Sequence, residues 1–158
     1  MLKILVRLNQ LMGVAILALL VASLSAEGPV MRALGVAPAD HRLVLGMRLV
    51  MVLGIAAVPV AHVVLTRLLA IVGTVADGDP FVIENAARLK GIAWAVLGLE
   101  LLHLAVGAVA AGASTEQAPL DLDWSFSITR WLAVLLLFVL ARVFEQGSRM
   151  REDLAGTV

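Results

Sequence analysis

The chain has 158 residues, 61% hydrophobic and 15% charged, with a formal net charge of zero and a mean hydropathy of +1.01. Soluble domains carry about 45–50% apolar and about 25% charged residues. So few charges exclude a surface that faces water throughout, and the zero net charge removes any global attraction to nucleic acid. The absence of cysteine excludes disulfides, thiol nucleophiles and thiolate metal sites, and the length is that of a single domain, 1–158.

A helix needs about 20 mainly apolar residues to cross the hydrocarbon core, and four stretches qualify, at 8–26, 43–66, 91–111 and 128–144. None alternates with period two as a barrel strand does, and in lipid the backbone must be satisfied within each segment. The sequence therefore predicts an all-α integral membrane four-helix bundle.

Lys3 and Arg7 before the first stretch, with Ser23-Leu24-Ser25-Ala26 at its end, loosely resemble a signal peptide. The apolar core is longer than a typical signal core, so an uncleaved first helix is expected. In the second stretch, Pro59 is expected to kink the helix by releasing the carbonyl of Ile55. A cytoplasmic connection, 67–90, follows. In it, Asp79 is a side-chain acceptor at a cap position, and Pro80 has a fixed φ and no N–H to lose. Together they predict a helix start that runs on through Glu84, Asn85, Arg88 and Lys90 into the third span. Glu84 and Arg88 are spaced for a favourable i,i+4 pair, and Phe81 and Val82 suit a membrane surface or a neighbouring helix. Helix four is expected to continue past Phe144 and end near Gly156, so the tail, 145–158, is a polar helix end.

Orientation follows from the basic residues. Lys3 and Arg7, then Arg67, Arg88 and Lys90, then Arg142, Arg149 and Arg151 gather on one side, against Arg32, Arg42 and Arg130 on the other. Both termini and the connection 67–90 are therefore assigned to the cytoplasm of a multi-pass cell-membrane protein. Glu116, Asp121 and Asp123 make the third connection acidic, as suits an outside loop. Trp124 and Trp131 flank the start of the fourth span at headgroup level.

Ionisable groups within spans are costly and face a partner. Glu100 and His103 share a face of the third helix, and Arg48 lies about two turns inside the outer end of the second. An antiparallel pair would bring these into one intramembrane polar cluster, with an Arg48–Glu100 ion pair and His103 beside it. Glu-x-x-His is half of a di-iron motif, but no second copy exists. His62 and His103 differ in depth by about 10 Å at 1.5 Å per residue, which does not suit haem. No metal or other cofactor is assigned. Ala18, Ala22 and Ala26, and Gly107 with Ala111, form small-residue stripes that serve bundle packing or a homodimer equally well.

The stretches GDPFVIENAARLKGIAW and LDLDWSFSITRWLAVLLLFVLARVFEQGSRMREDLAGTV resemble the bacterial membrane family called domain-of-unknown-function family 2975 (DUF2975). The matching positions are Pro80, Phe81, Asn85, Arg88 and Leu89, then Ala141, Val143, Phe144, Gly147, Glu152, Asp153, Thr157 and Val158. The resemblance covers most of the second half; the first two helices match in hydropathy alone. It implies a four-helix membrane protein with no established activity and no catalytic residues to carry over. Genes of the family often sit beside a small helix-turn-helix regulator. The resemblance thus implies a regulatory membrane protein that binds a soluble DNA-binding partner and has no direct contact with nucleic acid. The partner-binding residues expected on this basis are Asp79, Pro80, Phe81, Asn85, Arg88, Phe144, Arg151, Glu152, Asp153, Thr157 and Val158. A structural or accessory subunit, needing only packing and the polar cluster, is the alternative. A small transporter or membrane enzyme built on Glu100 and His103 has the least in the sequence to support it, because beside them only Arg48 and His62 are titratable groups within the first three spans.

Overall fold

The computed structural model describes residues 2–36, 40–78, 82–114 and 127–155, with side chains described through Arg151. Five helices follow in order: α1 (Leu2–Ser25), α2 (Glu27–Ala33), α3 (His41–Ala76), α4 (Ile83–Ala113) and α5 (Ile128–Ala155). The described residues contain no strand. Three helices, α1, α3 and α4, are long and apolar enough to cross a membrane. Their apolar side chains are widely exposed, among them Leu8, Leu11, Val14, Leu45, Val52, Val72, Trp94 and Leu101. A helix that turns apolar residues outward on several sides suits lipid as solvent. In α5 the uncharged run from Trp131 to Ala141 lies between Arg130 and Arg142. It measures about 16 Å at 1.5 Å per residue, short of a core about 30 Å thick.

The helices form two compact units, one of Met1–Val6, Val60–Glu100 and Ser127–Val158, the other of Arg7–Pro59 and Leu101–Phe126. In the second unit, α1 lies against α3 along an antiparallel seam. Asn9 donates from Nδ2 to the Val58 carbonyl at 3.0 Å. One turn on, a Cβ at Gly13 would lie 2.9 Å from Val58 Cγ1, and beyond it Ile16 meets Gly54. Small residues thus let the two backbones approach. At the end of α1, the Arg48 guanidinium donates to the Ser23 carbonyl at 2.7 Å and pairs with Glu27 at 2.7 Å. A cation at the α1 C-terminus and an anion in the first turn of α2 complement both helix dipoles.

The sequence reading had no helix at α2, which is seven residues long and too short to register as a span. It stops in a Schellman cap. Val36 N–H bonds the Met31 carbonyl and Gly35 N–H bonds that of Arg32. Gly35 takes φ +74°, a conformation glycine adopts without strain. Met31 and Val36 then close a small cluster with Leu43 and Val44. Asp40 caps α3, its Oδ1 accepting from the N–H groups of Arg42 and Leu43.

The connection expected at 67–90 is mostly helix. α3 runs ten residues past Thr66 to Ala76, and α4 is under way at Ile83. Arg67 does not end its helix: its guanidinium lies across Gly91 of α4, where a missing Cβ leaves room, and Leu68, Leu69, Ile71 and Val72 continue the apolar pattern beyond it. The cap expected at Asp79 and Pro80, with Phe81, lies outside the described residues. α5 carries the tail in helix to Ala155, as the sequence predicts.

Candidate functional site

The unit that holds the latter part of α3, the first part of α4 and all of α5 brings together the segments that the sequence singles out. Its foundation is a polar lock between α3 and α4. Asn85 is 0% exposed and falls on the same helical stripe as the buried Leu89 and Ile92. Arg88 donates from its guanidinium to Asn85 Oδ1 at 2.8 Å. Because arginine can only donate, this contact fixes the orientation of the Asn85 amide. The amide Nδ2 then donates to Thr74 Oγ1 at 2.7 Å, and the Thr74 hydroxyl donates to the Ile71 carbonyl at 2.8 Å. Arg88 also reaches the Ala70 carbonyl at 3.5 Å. The lock therefore runs from a charged group through two neutral ones into the α3 backbone.

α5 packs antiparallel against α4. Trp94 and Phe138 meet edge to face, their centroids 5.3 Å apart and the planes at 85°. Deeper along the pair, Arg130 Nε lies 3.5 Å from Glu100 Oε2. Toward the tail the helices are separated by a groove of about 450 Å3. Ile83, Ala86, Ala87 and Lys90 of α4 line it, with Phe138, Ala141, Arg142 and Glu145 of α5. The alanines leave this space: Ala86 and Ala141 form a buried floor. A smaller recess of about 270 Å3 continues between Arg142, Glu145, Gln146 and Arg149. Glu145 is already paired with Arg149 at 2.7 Å. Arg149 is thereby neutralised locally, whereas Lys90 and Arg142 are exposed side chains on the groove walls.

The expected partner-binding residues divide accordingly. Asn85 is inside the lock, and Arg88 is half-buried and turned toward Asn85 instead of pairing outward with Glu84. Phe144 is half-buried and Arg151 exposed on α5. Glu152 and Asp153 lie on the last turn of α5, beyond the side chains described. Asp79, Pro80, Phe81, Thr157 and Val158 lie outside the described residues.

Arg48 and Glu100, expected as a pair, each have a partner within their own unit. Arg48 is held by Glu27 and Ser23, and Glu100 faces Arg130. Glu27 reaches Arg48 because α2 brings a carboxylate to the end of α1, directly across from it. His103 is half-buried on α4, and its Nε2 is buried without a hydrogen-bond partner among the described residues. No three His, Asp or Glu side chains gather as a metal ion would require, among the described residues.

Sequence reasoning missed Glu27, the groove and its two cations. Gly35, after an acidic first turn at Glu27, is the signal that could have found α2. Asn85, Leu89 and Ile92, spaced four and three apart, could have revealed that the asparagine belongs to a buried stripe.

No curated protein and no solved structure matches the chain. A family model described as "Protein of unknown function (DUF2975)" matches residues 19–158, from the second half of α1 through the tail. The match takes in the lock, the groove and both motif segments, and the chain belongs to the DUF2975 family.

Proposed function

We propose that this protein is a multi-pass protein of the cell membrane, both termini cytoplasmic, that binds and restrains a cytoplasmic helix-turn-helix transcription regulator. The regulator docks on the α3–α4 turn and the α5 tail. α5 serves as the fourth crossing, its short apolar run extended by Arg130 and Arg142 reaching toward opposite headgroup layers. Glu100 offsets the Arg130 charge. The excess of Lys and Arg near the termini and the α3–α4 turn supports the orientation.

One observation carries the docking reading. The two motif segments are separated in sequence by the far end of α4 and the third connection, yet they belong to one compact unit and face each other across one groove. Lys90 and Arg142 are exposed on its walls and Arg149 on those of the adjoining recess. Asn85 and Arg88 contribute by holding the turn in place, while Arg151 and the tail beyond it supply the contact. The test is to purify the full chain in mild detergent, beside a chain stopped at Gln146, and identify the co-purifying proteins. A small DNA-binding protein that is present with the full chain and lost on truncation is the expected result. Equal recovery with both chains, or from neither, contradicts it.

A second reading is favoured by the inward turn of Asn85 and Arg88: a structural or accessory subunit, in which the motif serves the hairpin. It predicts a clean preparation from both chains and a loss of stability on changing Asn85.

A further inference from the structure

We infer that the groove between α4 and α5 holds an anionic phospholipid, with its phosphate between Lys90 and Arg142 and its glycerol and first acyl carbons on the alanine floor. The inference rests on the membrane reading of α4 and α5 but not on the regulator. Three observations carry it. The groove, at about 450 Å3, falls within the about 300–1,000 Å3 typical of small-molecule sites. Its floor is apolar and small, with Ala86 and Ala141 buried and Phe138 at its deeper end. Its walls carry two exposed cations, and neither the Lys90 ammonium nor the Arg142 guanidinium has a hydrogen bond or ion pair among the described residues. The nearby Glu145 carboxylate is engaged by Arg149 at 2.7 Å, so the groove presents an excess of positive charge.

The register of the helices places this charge suitably. Trp94 and Phe138 meet at one level, and Lys90 and Arg142 each lie four residues, about one 5.4 Å turn, nearer the tail. In the proposed orientation that is the cytoplasmic interface, where basic pockets between membrane helices take anionic headgroups. A zwitterionic headgroup would set its own cation against the same walls, so the site selects for net negative charge.

The experiment uses the full chain in mild detergent with added phosphatidylglycerol or phosphatidylcholine, and counts retained lipid by native mass spectrometry. Phosphatidylglycerol is expected to remain bound and phosphatidylcholine to dissociate. Two cations at about 1 kcal/mol each, with 1.4 kcal/mol per factor of ten, make the Lys90→Gln/Arg142→Gln variant bind roughly thirty-fold more weakly. Ala141→Phe fills the groove while keeping both charges, and it is expected to lose the lipid as well. A Lys3→Gln/Arg7→Gln variant loses the same charge elsewhere and is expected to retain it. Equal retention of both lipids, or unchanged binding in the Lys90/Arg142 variant, overturns the site. Inorganic phosphate that displaces phosphatidylglycerol at millimolar concentration overturns the lipid in favour of a free anion. If that variant keeps the lipid but loses a co-purifying regulator, the cations belong to a protein contact and the lipid site falls.

Discussion

Replacing Asn85 by alanine tests the lock between α3 and α4 at its centre. The substitution removes the acceptor of the Arg88 hydrogen bond at 2.8 Å and the donor to Thr74 at 2.7 Å. A hydrogen bond to a charged group contributes about 1.5–3 kcal/mol and a neutral one about 0.5–1.5. Contacts within membrane proteins run lower, averaging about 0.6 kcal/mol. Arg88 is only half-buried and retains the Ala70 carbonyl at 3.5 Å, so its guanidinium is not stranded after the change. These effects together place the cost of Asn85→Ala at about 2 kcal/mol. Thr74→Val removes the neutral links to Asn85 and to the Ile71 carbonyl but spares the charged one, and is expected to cost about 1 kcal/mol. The double variant should cost less than the sum, with a coupling of about 0.5–1.5 kcal/mol as for residues in one network. Reversible unfolding in mixed micelles with increasing anionic detergent measures all three. An Asn85→Ala cost below about 0.5 kcal/mol, or strictly additive singles, refutes the lock.

Four further substitutions follow, three of them in the other unit and Gly73→Ala in the same unit as Asn85. Arg48→Ala removes both the Glu27 pair and the bond to the Ser23 carbonyl, and is expected to cost about 1–2 kcal/mol. Glu27→Gln, which spares the carbonyl bond, should cost less and depend more weakly on salt than wild type; the same unfolding assay at two ionic strengths checks both. At Gly13 a Cβ would lie 2.9 Å from Val58 Cγ1, so Gly13→Leu should overpack the α1–α3 seam and cost about 1–3 kcal/mol. Gly73→Ala, with nothing within 4 Å of the added carbon, should instead stabilise α3 by up to about 1 kcal/mol.

The helices were legible in the sequence because hydropathy over some 20 residues is a strong signal, and α1, α3 and α4 each contain it. Boundaries were less legible where charge and helix end do not coincide. Arg67 reads as a membrane exit, yet α3 continues because the long side chain finds room over Gly91. The Asn85 site was legible only as a motif. The side chain's direction depends on the α3–α4 hairpin, and a polar residue on an otherwise apolar stripe looks like a contact surface until its partner is known. The sequence points Arg48 toward Glu100 because both lie within spans, while Glu27 sits in a stretch too short to read as a helix. The groove was not legible at all, since it arises from alanines on two helices whose register is set by Trp94 and Phe138.

The most direct test of the account is the side of the membrane on which each segment lies. The absence of cysteine gives single-cysteine labelling no background. Arg42→Cys, Asp77→Cys and Arg151→Cys, treated in intact cells with a membrane-impermeant maleimide and again after lysis, report the three positions separately. The account predicts that Arg42→Cys is labelled in intact cells, and that Asp77→Cys and Arg151→Cys are labelled only after lysis. Labelling of Arg151→Cys in intact cells, or of Asp77→Cys and Arg151→Cys from opposite sides, would contradict four crossings and a shared cytoplasmic docking face.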